Sequence, residues 1–126
     1  MPYTVLYVSN GDDLQENIIQ LLVEEDIDVI PVEEKNEAFA VLQEESCQLL
    51  LVDIDAPAGT ALLRHLLKEA HFHLPVMILT SGKYLTLEDE ALDHGLCSIL
   101  YKPWDERTLV SRVRQCIHSA PLRLVS

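Results

Sequence analysis

The stretch Leu49-Leu50-Leu51-Val52-Asp53-Ile54-Asp55-Ala56-Pro57 decides how this chain folds. Four apolar residues in succession, Leu49 to Val52, read as a strand buried on both faces, the pattern of a central strand in a parallel sheet. An ionised side chain is costly to bury inside a strand, so Asp53 belongs where the strand leaves the core. In open α/β sheets that edge, outside the carboxyl ends of the strands, is where sites form.

Working outward towards the amino terminus, Thr4–Val8 is a short apolar, β-branched strand that Ser9-Asn10-Gly11 breaks. Asp12 or Asp13 then caps a helix in which Leu14, Ile18, Leu21 and Leu22 recur at helical spacing. Ile27–Val32 forms a second strand. Its Pro31 lacks the ladder donor, which places that strand at a sheet edge. Asn36 is expected to cap the next helix, with Ala38, Phe39, Val41 and Leu42 as its apolar stripe.

Towards the carboxyl terminus, Pro57-Ala58-Gly59 turns the chain into a helix whose Leu62, Leu63, Leu66 and Leu67 face inward. Pro75–Leu79 is a wholly apolar strand stopped by Thr80-Ser81-Gly82. Thr86 is expected to cap a short acidic helix that Gly95 closes, and Leu96–Tyr101 is the last strand, ended by Lys102-Pro103. Asp105 caps the final helix, with Leu109, Val110, Val113, Cys116 and Ile117 on its core face. Residues 1–120 form one domain, and 121–126 read as a tail or the start of a linker. Strands alternating with helices in this way call for an α/β fold, a doubly wound parallel sheet of five strands covered by helices on both faces.

At 126 residues the chain suits one domain with a real core, and 48% of it is hydrophobic. No apolar run approaches the roughly 20 residues that span a bilayer, and no secretory signal opens the chain, so a cytoplasmic location is expected. The net charge of −12 argues against holding nucleic acid directly, because that requires many cationic phosphate contacts. Cys47, Cys97 and Cys116 are odd in number and form no CxxC pair, which predicts buried, reduced thiols.

Parallel strands present their carboxyl ends on one edge. Ser9 and Asn10 follow the first strand, Asp53 ends the third, Thr80 the fourth and Lys102 the fifth. A carboxylate, a hydroxyl and an ammonium in one shallow cleft suit phosphoryl chemistry. The carboxylate is the nucleophile, lysine neutralises a phosphoryl oxygen as a point charge, and threonine donates a hydrogen bond to another.

With Asp53 and Pro57 four residues later, Thr80 after an apolar strand, and Lys102-Pro103-Trp104, the chain resembles the receiver domain of bacterial two-component response regulators. The resemblance covers Thr4 to about His118. It implies a flavodoxin-like sheet of order 2-1-3-4-5, with Asp53 as phosphoacceptor, Thr80 as the hydroxyl that follows the phosphoryl group and Lys102 as its cation. It also implies a cis Lys102–Pro103 bond and a signalling surface on the fourth helix, last strand and fifth helix. The partners it implies are a histidine kinase or phosphotransfer protein, a second copy of the chain as a homodimer, and an effector domain or protein. No nucleic-acid or membrane contact follows from it. The domain is then a phosphorelay switch, not an enzyme.

Two departures stand out. The family usually carries two acidic residues after the first strand that organise Mg²⁺; here these are Ser9 and Asn10, leaving Asp53, Asn10 and Asp55 to hold the metal weakly. Asp12 and Asp13 lie further on, as helix caps. The family's switch tyrosine or phenylalanine is replaced by Ile99, and Tyr101, two residues on, shares its strand face without replacing it.

A degenerate receiver, serving as a phosphorylation-independent interaction module, is the alternative reading. A flavodoxin-like FMN protein using Ser9-Asn10-Gly11 as a phosphate loop is a third, although it leaves Asp53 and Lys102 unexplained. His71-Phe72-His73 reads as a solvated turn rather than a metal pair, and Arg107, Arg112 and Arg114 as a solvated helix face.

Overall fold

The computed structural model describes residues 3–69, 74–94 and 98–125. In chain order they form β1 (Tyr3–Val8), α1 (Asp13–Val23), β2 (Ile27–Val32), α2 (Lys35–Glu44), β3 (Leu49–Asp53), α3 (Pro57–Leu66), β4 (Val76–Thr80), α4 (Leu85–Asp93), β5 (Ser98–Tyr101) and α5 (Glu106–Val125). The five strands are parallel, in the order β2-β1-β3-β4-β5. Pro31 does lie on an edge strand, since β2 pairs only with β1.

The apolar runs divide between two cores by the period-2 alternation of strands. Val5, Tyr7, Leu49, Leu51, Met77 and Leu79 point to one face, where they pack with Ile18 and Leu22 of α1 and Leu109, Val113 and Cys116 of α5. Leu6, Val8, Leu50, Val52, Val76 and Ile78 point to the other, against Ala38, Leu62, Leu63, Leu87 and Ala91 of α2, α3 and α4. All five residues of β3 are buried, as its apolar run requires. Its carboxyl end therefore opens into the middle of the sheet edge.

Asp12 caps α1, its Oδ1 accepting from the Gln15 N–H. Two other expected caps fail. α2 begins at Lys35 after Glu34, so Asn36 lies inside the helix, and α4 begins at Leu85 after Tyr84, so Thr86 does too. Neither helix has a side-chain cap at its N-cap; packing of Ala38 in α2 and Leu87 and Ala91 in α4 holds them instead. α5 runs through residues 120–125, where no glycine stops it. Gly95, Leu96, Cys97 and His71-Phe72-His73 lie outside the described residues.

Cys47 is a free thiol whose ionisation is pushed up by burial and by the nearby Glu45 charge. Cys116 is disulfide-bonded, contrary to the expectation of reduced thiols. The lack of a CxxC spacing excludes only pairing between neighbours in sequence. The arginines also do more than solvate a helix face: Arg112 donates to Ser98 Oγ at 2.7 Å, and Arg114 pairs with Glu25 at 2.6 Å, tying α5 to β5 and to the turn after α1.

Candidate functional site

Asp53 ends β3 and is only 2% exposed. Its charge is met on both oxygens: Oδ1 accepts from the Asp55 backbone N–H at 3.0 Å, and Oδ2 from Lys102 Nζ at 2.8 Å. Lys102 comes from the end of β5, two strands away, and reaches a second carboxylate, Asp55, at 3.1 Å. The Lys102–Pro103 bond is cis, as the resemblance implies. Burial weakens the lysine's charge, but its hydrogen bonds to Asp53 and Asp55 outweigh that and raise its ionisation above the usual value. Burial likewise opposes ionisation of Asp55, and hydrogen bonds from Lys102 and Ser81 outweigh it, holding the carboxyl below its ordinary range.

This arrangement needs close approach of α3. A Cβ on Gly59 would collide with the Asp53 carbonyl, so only glycine lets the first turn of α3 sit against the end of β3.

Thr80 ends β4, fully buried, and its hydroxyl accepts from the Gly82 N–H at 3.0 Å. It donates to Glu88 Oε2 at 3.0 Å, while the Tyr101 hydroxyl donates to Glu88 Oε1 at 2.6 Å. Glu88, a residue the sequence reading missed, is only 2% exposed. Its signal was available: it occupies the inward stripe of α4 with Leu87 and Ala91, where a carboxylate is out of place without partners. Tyr101 does share a face with Ile99, but it also reaches the Thr80 network through Glu88, a link the strand pattern alone did not reveal. Ile99 packs on the apolar cluster of that face.

The family model of the response regulator receiver domain matches residues 5–114. The chain belongs to that family. Among its relatives, the response regulator protein FleR of Pseudomonas aeruginosa is 29% identical over 115 residues, covering 90% of this chain and 24% of FleR. The transcriptional regulator NtrC of Salmonella typhimurium is 36% identical over 87 residues, 68% of this chain and 18% of NtrC. The receiver domain thus spans a quarter or less of these curated relatives. A CheY-like receiver domain from Methanospirillum hungatei superposes with a TM-score of 0.81 at 22% identity, covering 98% of this chain and 99% of that one. The likeness confirms the flavodoxin-like receiver fold.

Receiver domains generally bind Mg²⁺ at an acidic pocket. The residues of this receiver domain fit the ion poorly. Ser9, one step beyond the Val8–Val52 pair, is fully buried and donates its hydroxyl to Gln15 Oε1 at 2.8 Å, while Asn10 is exposed. The first strand thus brings no carboxylate, and Lys102 already bridges the two that remain. Among the described residues no group of three metal-ligating side chains gathers. Beneath this spot lies the Tyr7 hydroxyl, buried with no hydrogen-bond partner among the described residues. Burial, then the charges of Asp53 and Asp12, push its ionisation far up, and the Ser9 hydroxyl opposes this without reaching bonding geometry.

No described helix is long and apolar enough to cross a membrane. Receiver-family membership leaves no place for the flavodoxin-like FMN reading.

Proposed function

We propose that this receiver domain accepts a phosphoryl group on Asp53 from a histidine kinase or phosphotransfer protein in the cytoplasm, and passes the change to an effector through its α4–β5–α5 face. The observation that supports this reading best is the Lys102 ammonium 2.8 Å from the Asp53 carboxylate, at the sheet edge where Thr80 also ends its strand. In the transfer, an Asp53 oxygen bonds to phosphorus as the phosphorus–nitrogen bond of a phosphohistidine breaks. The imidazole nitrogen keeps the electron pair and takes a proton from solvent. Lys102 balances charge on the phosphoryl oxygens, and the Thr80 hydroxyl turns to donate to one of them.

Intact mass after incubation with a small phosphodonor tests this. A gain of one phosphoryl group, absent in Asp53→Asn, is the expected result; no gain under any donor refutes it. The outcome without a gain favours the second reading, a receiver that works by constitutive contact. Its support is the uncharged pair Ser9 and Asn10, together with the Lys102 bridge across Asp53 and Asp55.

A further inference from the structure

Thr80 and Tyr101 are register partners on β4 and β5, so their side chains leave the sheet side by side. One carboxylate from α4, Glu88, bonds to both hydroxyls. Thr80 and Glu88 are buried, whereas Tyr101 is 52% exposed. The three residues therefore form a hydrogen-bonded line from beside the Asp53 site to the outer surface.

The Thr80 hydroxyl has a single proton to donate. Its oxygen already accepts from the Gly82 N–H, and its proton goes to Glu88. Any group at the Asp53 site that takes that proton takes it from Glu88. Among the described residues, the carboxylate is then left with Tyr101 as its only side-chain donor.

We propose that Glu88 is a positioning residue that couples occupancy of the Asp53 site to the setting of Tyr101 on the exposed α4–β5 face, through competition for the single proton of Thr80. The inference rests on the proposed function, because the competing acceptor is a phosphoryl oxygen on Asp53. A buried carboxylate short of a donor is under-satisfied, and the way to recover is to move towards water. Glu88 sits one turn into α4, its N–H donating to the Tyr84 carbonyl, so the first turn of that helix moves with it. Tyr101, bonded to the other oxygen, follows. The Ile99 side chain has no polar atom with which to take part, and Glu88 supplies the polar connection it lacks.

The test labels the full chain with 3-fluorotyrosine and reads the Tyr101 fluorine resonance, assigned by its loss in Tyr101→Phe. Without any phosphodonor, Thr80→Val should shift that resonance, and Thr80→Ser, which keeps a hydroxyl, should restore it. With a small phosphodonor, the wild type should shift in the same direction. In Glu88→Met the shift should be lost while Asp53 still gains the phosphoryl mass. A Tyr101 resonance unmoved in Thr80→Val overturns the coupling, as does a phosphorylated wild type with Tyr101 unmoved or a response that survives in Glu88→Met. If the wild type gains no mass, the proposed function fails on its own, and the Thr80→Val spectrum still decides the coupling.

Discussion

Lys102 and Asp53 are 49 positions apart in sequence and 2.8 Å apart in space, the ammonium lying against a carboxylate that is almost wholly buried. Removing the lysine leaves that carboxylate without its counter-charge. For fully buried pairs such a loss costs about 3–5 kcal/mol. The Lys102 side chain is 22% exposed, and water can partly replace it, so Lys102→Met should cost about 1–3 kcal/mol. Adding Asp53→Asn removes the orphaned charge and should recover more than half of the loss. Chemical denaturation of the two single variants and the double variant checks this as a cycle.

Gly59 and Gly82 make a contrast. At Gly59 the obstacle to a side chain is the Asp53 backbone itself, which cannot step aside. Gly59→Ala should therefore cost about 2–3 kcal/mol, the upper part of the range for overpacking. Gly82 has open space around it and a φ of +91°, so Gly82→Ala meets only backbone strain, about 1 kcal/mol. Urea midpoints measured side by side should show the larger drop for Gly59→Ala.

Much of the fold and part of the site were legible in the sequence. The convergence of Asp53, Thr80 and Lys102 followed from strand periodicity and parallel topology, which act over whole segments, whereas the sheet order came only with the resemblance to receiver domains. Pro31 marked its edge because a missing donor is a local property with a single consequence. The caps at Asn36 and Thr86 misled for the opposite reason, since α2 and α4 are held by packing and their start points are free to shift. Glu88 escaped because its partners come from β4 and β5, and a buried carboxylate can be recognised only once both hydroxyls are in place. The disulfide at Cys116 escaped for a similar reason.

The hydrogen bond to Glu88, then slight burial and the charges of Glu88 and Asp89, hold the Tyr101 phenol above its ordinary value of 10.0. The sign follows from linkage: the protonated, bonded phenol contributes stability fully below 10.0, and the contribution is lost as pH rises through the higher folded value. In Glu88→Gln the charge is gone and Tyr101 should ionise closer to 10.0. Ultraviolet titration of tyrosinate, with the Tyr101→Phe trace subtracted, reads the difference. An unchanged titration in Glu88→Gln would show that Glu88 does not govern the phenol.

Mg²⁺ binding should be weak in this protein and recoverable by two substitutions. Mg²⁺ takes near-octahedral oxygen ligation and is usually held by one or two carboxylates with phosphate oxygens and water. Asp53 and Asp55 lie at this edge, and both are engaged by Lys102. Ser9→Asp with Asn10→Asp adds two carboxylates beside them. The Ser9 side chain is fully buried and bonded to Gln15, so the new aspartate there loses a neutral hydrogen bond and gains repulsion from Asp53. Without a cation the double variant should therefore melt below the wild type. Binding to the folded state alone stabilises by about 2.7 kcal/mol at a hundredfold excess over Kd, so added Mg²⁺ should raise the variant's Tm while the wild type's barely moves. Phosphorylation of Asp53 should quicken in the same variant, read as the rate of mass gain. A wild type that already responds to Mg²⁺ as strongly as the double variant would mean that Asn10, Asp12 or Asp55 supplies the ligation, and the charge argument from Ser9 and Asn10 would fall.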